Sequence, residues 1–93
     1  MSATEYDVGD RVTIQATFTD ENSVLTDPDT VQLEIKNPAG TVTTPSVSNP
    51  STGVYEGSVL FDADGLWWYR WEGTGTVDAA EEGSMSVRES QFP

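Results

Sequence analysis

The side chains that could do chemistry in this 93-residue chain are almost all carboxylates. Sixteen residues are aspartate or glutamate, and the chain contains neither histidine nor cysteine. Without histidine, no Ser-His-Asp or Cys-His arrangement can form, and the commonest general base is missing. Without cysteine, there is no thiolate nucleophile, zinc-thiolate site or disulfide. The chemistry left to consider is calcium binding and acid–base catalysis by paired carboxylates.

Two groups of acidic residues invite comparison with calcium sites. Asp62-Ala63-Asp64-Gly65 is similar to the opening of an EF-hand loop, but the twelfth loop position, which needs glutamate, is Gly73. An Asp/Gly turn between strands accounts for the segment instead. A second candidate is a site at loop ends, formed by Asp20, Glu21, Asp27 or Asp29. Acidic loops are expected at this composition, so we predict no bound metal.

Paired carboxylates can hydrolyse glycosidic bonds, but that reaction also needs a substrate cleft. A domain of this size with polar loops rarely offers one, and Glu81-Glu82 fits the exposed start of a strand. The chain contains no Gly-rich phosphate loop, no Gly-x-Ser-x-Gly elbow and no basic patch. We therefore predict that the protein is not an enzyme and binds no cofactor.

The net charge of −12 restricts the partners of the chain. Only four residues are lysine or arginine, and Lys36 is the only lysine. Such a surface repels nucleic acid and anionic membranes, so neither is a predicted partner. No secretory signal and no membrane-spanning run are predicted either. Two interpretations of the charge stay open: an acidic soluble domain, or adaptation to molar salt, in which ions screen the repulsion.

Adaptation to salt predicts that folding depends on ionic strength. Repulsion between carboxylates on a small surface extends over roughly 10 Å at about 0.1 M salt but only about 3 Å at about 1 M. We expect the β-sheet circular dichroism signal to be strong in molar salt and to weaken toward tens of millimolar. An unchanged signal across that range would count against halophilic adaptation.

Apolar and polar residues alternate along most of the chain, and turn residues recur at short intervals. The pattern predicts strands at residues 11–19, 30–36, 41–48, 54–61, 66–72 and 80–88, with a short first strand at 5–8. Pro45 places residues 41–48 at a sheet edge, because proline cannot donate to a ladder. Asn49-Pro50-Ser51-Thr52-Gly53 is a predicted turn. Six or seven short strands predict one all-β domain over residues 1–93, an immunoglobulin-like antiparallel β-sandwich.

The strand at residues 66–72 carries four of the nine aromatic residues of the chain, and its two faces have to be assigned to core and surface. Alternation groups Trp67, Tyr69 and Trp71 on one face and leaves Leu66, Trp68 and Arg70 on the other. Because the second face contains arginine, the first is the predicted core face. The predicted core residues are Val12, Ile14, Phe18, Leu33, Ile35, Tyr55, Val59, Trp67, Tyr69, Trp71, Met85 and Val87.

Trp68 is the residue whose role stays open. It could lie flat on the outer sheet face under Arg70, or anchor an interface, since tryptophan and arginine are enriched at binding hot spots. A third alternative is that the two faces are reversed. We predict Trp68, Arg70 and the tail residue Phe92 as partner-binding residues. Gly65-Leu66-Trp67 also resembles the Gly-x-Tyr corner of immunoglobulin-like domains, where only an indole N–H could replace the tyrosine hydroxyl.

From residue 6 to residue 89 the chain resembles small immunoglobulin-like proteins encoded among the virion genes of tailed phages and tailed viruses of archaea. The segments that carry the resemblance are YDVGDRV at residues 6–12, VQLEIKNPAG at 31–40, TGVY at 52–55 and GLWWYRWEG at 65–73. These segments describe the fold more than a particular role.

The resemblance implies a head or tail accessory protein that decorates the capsid or sits at the head–tail region. Its partners would be other virion proteins, such as the major capsid protein or head–tail and tail proteins, with a homo-oligomer as a further alternative. Sheet edges and surface aromatics would supply the contacts, and the protein would be located in the virion after assembly in the host cytoplasm. The alternative hypothesis is a module that binds a host receptor or carbohydrate, which would need exposed aromatics in the loops.

Overall fold

The computed structural model describes residues 5–89, which form eight strands and no helix. The short segments are β1 and β4, and the longest are β7 and β8. The strands are β1 Glu5–Asp7, β2 Arg11–Thr17, β3 Thr30–Lys36, β4 Val42–Thr43, β5 Val47–Ser51, β6 Val54–Leu60, β7 Gly65–Thr74 and β8 Ala79–Arg88. Since residues 5–89 contain no helix, none of them forms a long apolar helix able to cross a membrane.

The strands form two sheets that pack as an immunoglobulin-like β-sandwich. One sheet has five strands in the order β1-β8-β7-β3-β4, and the other has three in the order β2-β6-β5. β1 runs parallel to β8, and every other pairing between named strands is antiparallel. The predicted fold class is confirmed. The structure adds one strand to the predicted six or seven, because the predicted strand at 41–48 is not a single element.

Residues 41–48 divide between the two sheets. β4 pairs with β3 in the five-stranded sheet, whereas β5 pairs with β6 in the three-stranded sheet. Pro45 lies in the crossing segment, where its missing N–H removes no ladder bond. The predicted turn that begins at Asn49 is also shifted, because β5 continues through Pro50 to Ser51 and the chain reverses at Gly53, whose φ is +76°.

The core lies between the sheets and is built from inward-facing positions of both. Trp71, Phe61, Leu33 and Ile35 are the largest side chains that are almost fully buried. The other predicted core residues that are buried are Ile14, Phe18, Val59, Trp67, Met85 and Val87. The remaining three, Val12, Tyr55 and Tyr69, are half-buried and pack against the margin of this cluster. Alternation therefore placed these three side chains on the inner face, where they are only half-buried.

Aromatic side chains pack against one another at both ends of the core. Phe61 packs edge-on against Trp67 with ring centroids 5.2 Å apart, and Tyr6 lies 5.1 Å from Phe61 on the other side. At the opposite end Phe18 and Tyr55 form a second edge-to-face pair at 5.6 Å. Such pairs add roughly 0.5–1.5 kcal/mol beyond the burial of their area. The contact of Phe61 with Trp67 links the two sheets, whereas Phe18 and Tyr55 both belong to the three-stranded side.

Candidate binding surface

The alternation of β7 separates its three tryptophans between the core and the surface. Trp67 and Trp71 face the three-stranded sheet and are 4% and 1% exposed, respectively. Trp68 points the other way and is 43% exposed. Tyr69 is half-buried on the inner face, and its ring lies over Gly83 of β8. The outer face of the five-stranded sheet therefore presents one large aromatic side chain to solvent.

Trp67 replaces the tyrosine of the corner motif and makes the corresponding bond with its indole. Its Nε1–H donates to the carbonyl oxygen of Ala63, four residues earlier in the chain, at 3.0 Å. Gly65 between them has a φ of +123°, a value that favours glycine. A Cβ at Gly65 would also lie 2.9 Å from Cγ of Pro38. This corner fixes the start of β7, and with it the direction in which Trp68 points.

Trp68 belongs to a row of outward side chains that crosses four strands. The strand register places it beside Ser84 of β8 and Lys36 of β3, and Lys36 is paired in turn with Val42 of β4. Leu66 lies on the same face, two residues before Trp68. We call this surface the Trp68 face and define it by Lys36, Val42, Leu66, Trp68 and Arg70.

The Trp68 face gathers much of the exposed apolar surface of the domain. Among residues 5–89, six large hydrophobic side chains are exposed, and three of them, Val42, Leu66 and Trp68, lie here. The others are Val24 and Leu25 in the loop after β2, and Leu60 on the opposite sheet. A shallow groove of about 410 Å³ runs past Trp68 between Val42 and Arg70. This shape and polarity are typical of a surface that a protein partner covers.

Arg70 is held in place by two carboxylates on the same face. Its Nη2 lies 3.1 Å from Oε2 of Glu72, and its Nη1 lies 3.5 Å from Oε1 of Glu82. The hydrogen bond to Glu72 is the main cause that raises the pKa of Arg70, and the negative charges of Glu72 and Glu82 add to it. The guanidinium is still partly exposed, so it can reach a partner while it is already oriented.

Most of the positive charge of the chain lies on the outer face of the five-stranded sheet, which includes the Trp68 face. Three of the four basic residues, Lys36, Arg70 and Arg88, point outward from the five-stranded sheet, and Arg88 contacts Asp7 at 2.9 Å. Half of the sixteen acidic residues lie instead in loops between strands. These loop acids are Asp10, Asp20, Glu21, Asp27, Asp29, Asp62, Asp64 and Asp78. On the outer face of the five-stranded sheet these three cations lie among four carboxylates, Asp7, Glu34, Glu72 and Glu82, so the charge of this face is close to neutral within a strongly acidic molecule.

The loop carboxylates considered as calcium ligands are used to hold backbone turns. Asp20 accepts hydrogen bonds from the N–H groups of Asn22 and Val24, at 2.8 and 3.0 Å. Asp27 accepts one from the N–H of Gly53 at 2.6 Å and ties the loop after β2 to the turn after β5. Across residues 5–89, no three carboxylates come together as a metal site would require.

Asp27 also acts on Tyr55 at the margin of the core. Partial burial is the main cause that raises the pKa of Tyr55, and the charge of Asp27 and a hydrogen bond to it raise that pKa further. The neutral phenol is therefore the favoured form beside this carboxylate. Asp27 therefore contributes to the fold by bonding to the backbone of Gly53 and to the side chain of Tyr55.

The structure brings Trp68 and Arg70 together on one face, and Phe92 lies outside the described residues. Lys36, Val42 and Leu66 belong to the same surface but were not predicted as partner-binding residues. Alternation did place Leu66 on the same face as Trp68, although no binding role was predicted for it. Lys36 and Val42 join the face through the register between β7, β3 and β4, which the sequence does not reveal.

Comparison with known proteins shows the fold and does not show a family. No protein-family model matches the chain, and no curated protein matches its sequence. Several solved structures have a similar fold, and three of them are compared with this chain. The Lin-41 filamin domain has a TM-score of 0.76 at 17% identity, with 95% of this chain and 86% of that chain covered. A ZIG-8 IG1 homodimer has a TM-score of 0.51 at 9% identity, covering 95% of this chain and 79% of that one.

The third structure is a DUF4785 family protein from Legionella pneumophila, with a TM-score of 0.67 at 17% identity. The match covers 95% of this chain but 26% of that protein, so the shared region is one domain of a larger chain. Identities this low establish a common immunoglobulin-like architecture and carry no information about activity or partners. None of the three is described as a virus protein.

Proposed function

We propose that this chain is a non-catalytic structural subunit of a tailed-virus particle, which binds the capsid or head–tail region through the Trp68 face. The observation that carries the proposal is the composition of that face. Three of the six exposed large hydrophobic residues and two of the four basic residues of the chain, Lys36 and Arg70, occupy it. A near-neutral apolar surface on a domain of net charge −12 is suited to contact with protein.

The arrangement also favours binding at low conformational cost. Trp68 offers a large rigid ring with two rotatable side-chain bonds, and Arg70 is oriented by Glu72 and Glu82 before any partner arrives. Ordering a long side chain at an interface costs roughly 0.5–1.5 kcal/mol, and prior orientation removes part of that cost. Trp68 and Arg70 are accordingly the expected hot spots, with Val42 and Leu66 excluding water around them.

The acidic residues around the Trp68 face restrict the charge of a partner that can bind there. Acidic loops surround the sandwich at both ends, so a partner with basic side chains at its rim would be attracted and one with an acidic rim repelled. Many copies bound to a repeated lattice would hold by avidity without tight single contacts. The virion setting itself rests on the resemblance of residues 6–89 to virion proteins.

A host-receptor or carbohydrate-binding module is the second candidate. The observation in its favour is that Trp68 lies beside a groove, since sugars stack on exposed aromatic rings. Against it, the three tryptophans lie on a strand and two of them are buried, so no aromatic platform forms. A glycan array with specific hits that disappear in Trp68→Ala would favour this candidate over the first.

Purified particles test the proposed function. We expect the chain to remain on washed virions in many stoichiometric copies, and Trp68→Ala to reduce its affinity for particles by about thirtyfold, which corresponds to about 2 kcal/mol. Val24→Ala is the matched control, because Val24 is an exposed hydrophobic residue away from the Trp68 face and its loss should leave occupancy unchanged. Absence from washed virions, or equal occupancy by wild type and Trp68→Ala, would refute the proposal.

A further inference from the structure

The four edges of the two sheets are not equally protected against pairing with another strand. β1 has three residues and β4 has two, with Pro45 close behind β4. β5 contains Pro50, and its register with β6 shifts between Ser48 and Ser51. Short strands, prolines and bulges are the devices by which natural proteins protect their edges. Three of the four edges therefore carry such a device.

The fourth edge, β2, carries none of them. Its seven residues, RVTIQAT, include no proline, lysine or carboxylate, and its register with β6 is continuous from Arg11 to Thr17. Within residues 5–89, β6 is the only strand that pairs with β2. A regular seven-residue edge of this kind is a template for another strand. Arg11 is its only charged residue.

The backbone groups of β2 that face away from β6 can be identified from the ladder. Phe18 donates its N–H to the carbonyl of Gly53, and Phe61 donates to the carbonyl of Asp10. The backbone groups of the even-numbered residues of β2 therefore bond to β6. Because successive residues of an antiparallel strand direct their N–H and C=O groups to opposite sides, those of the odd-numbered residues face away from β6. The residues whose backbone N–H and C=O face the open edge are Arg11, Thr13, Gln15 and Thr17.

We propose that β2 pairs antiparallel with β2 of a second copy of this chain, about a twofold axis through Ile14. In that register all seven residues overlap, and every outward-facing backbone group finds a partner. Thr13 lies opposite Gln15 of the second copy, and Arg11 lies opposite Thr17. The two three-stranded sheets then become one continuous six-stranded sheet, with the order β5-β6-β2 repeated in reverse.

The side chains of β2 fit a second copy on both faces. On the inner face, Ile14 meets its own symmetry mate, and the larger Val12 lies opposite the smaller Ala16. On the outer face, no two like charges are opposed, because β2 has no carboxylate although sixteen of the 93 residues are acidic. Val12 is half-buried in one copy. A strand added beside β2 would cover it further.

The effect of salt on binding distinguishes the two possible partners of the β2 edge, a second copy of this chain and a basic strand of another protein. Two copies of net charge −12 repel at long range, and ions screen that repulsion. The dimer should therefore tighten as salt rises from about 0.1 M to about 1 M. A basic strand from another protein would instead bind less tightly at high salt. Sedimentation equilibrium of the full chain measures the dissociation constant directly in both conditions.

Two substitutions at Thr17 test the register. Thr17→Glu places a carboxylate opposite Arg11 of the second copy, and Thr17→Arg places a cation there. We expect the dissociation constant of the dimer to fall by about fivefold in Thr17→Glu and to rise by about fivefold in Thr17→Arg. The net charge of the chain predicts the opposite order, because Thr17→Glu makes each copy more negative. The two explanations therefore give results of opposite sign.

A backbone variant supplies an independent check. Thr13→Pro removes an N–H that faces the open edge, and proline is tolerated at such positions, so the monomer should keep its circular dichroism spectrum while dimerisation is lost. Monomeric wild type at both salt concentrations would overturn the proposal. It would also be overturned by Thr17 variants that follow net charge or do not differ, or by Thr13→Pro that dimerises like wild type. The Trp68 face is on the other sheet, so particle binding can succeed or fail separately.

Discussion

Replacing Trp71 with alanine is expected to lower the free energy of unfolding by about 3–5 kcal/mol. Trp71 is 1% exposed and lies on the inner face of β7, paired with Leu33 of β3. Its removal leaves a cavity between the sheets that neighbouring side chains cannot fill. Small domains are stable by only about 5–15 kcal/mol, so a loss of this size unfolds a large part of the population under mild conditions.

Trp68→Ala is the matched control for this result. It removes the same side chain from a neighbouring position of the same strand, but from the solvent face, where substitutions usually change stability by about 0.5 kcal/mol or less. Urea unfolding at one fixed salt concentration, followed by circular dichroism, gives both free energies. Equal losses in Trp71→Ala and Trp68→Ala would mean that the inner and outer faces of β7 are wrongly assigned.

The indole N–H of Trp71 destabilises the folded state, which reduces the net loss of unfolding free energy expected for Trp71→Ala. Its Nε1–H is buried and has no protein hydrogen-bond partner. An unsatisfied buried donor costs roughly 1–3 kcal/mol, so the packing of the ring must outweigh that cost in the folded state. Trp71→Phe removes the donor along with part of the ring. We therefore expect it to be much less destabilising than Trp71→Ala.

Gly57→Ala is expected to destabilise the domain by about 1–3 kcal/mol through overpacking of the core. Gly57 lies on β6 in the three-stranded sheet, and a Cβ built there would lie 2.6 Å from Cδ2 of Leu33 in the five-stranded sheet. Leu33 is fully buried, so a shift of its Cδ2 has to displace other packed side chains of the core. The absence of a side chain at Gly57 is therefore what lets the two sheets approach at this point.

A double-mutant cycle isolates this contact. Leu33→Ala alone should cost about 2–5 kcal/mol by leaving a cavity. With Gly57→Ala added, the new methyl group enters that space, so the double variant should be more stable than the sum of the two changes predicts by about 1 kcal/mol or more. Gly73→Ala combined with Leu33→Ala is the control, since a Cβ at Gly73 meets Phe18 and Pro28 instead. Additivity within about 0.5 kcal/mol for the Gly57 pair would rule out the contact.

The two proposed surfaces are compatible in one assembly. The β2 edge belongs to the three-stranded sheet, and the Trp68 face is the outside of the five-stranded sheet. A β2-linked dimer therefore leaves both Trp68 faces open and presents two of them to a partner lattice. Two linked contacts raise the effective affinity without any new interaction, provided that both can reach their sites.

The face assignment of β7 was accessible from the sequence because its pattern is strong. One arginine among six residues was enough to place Trp67 and Trp71 inside and Trp68 outside, since a strand has a period of two. The strands at residues 30–36 and 54–61 could be predicted for the same reason. The corner at Trp67 was recognisable from Gly65, although the hydrogen bond to Ala63 needed the structure.

Other features depend on contacts between residues far apart in sequence. The sequence of residues 41–48 does not indicate that Val42 pairs with β3 and Val47 with β6. These pairings depend on strands of two different sheets that lie elsewhere in the sequence. The pairing of Arg70 with Glu82 likewise depends on the register of β7 against β8. Composition pointed to an acidic surface, but only the topology shows that the basic residues collect on one face of it.

Hydrogen exchange of the three indole N–H groups, followed by nuclear magnetic resonance, tests most directly the separation of a buried inner face from an exposed docking face. We expect slow exchange for Trp67, which donates to Ala63, and for Trp71, which is enclosed, but fast exchange for Trp68. Slow exchange at Trp68 in the free protein, or fast exchange at Trp71, would contradict this separation.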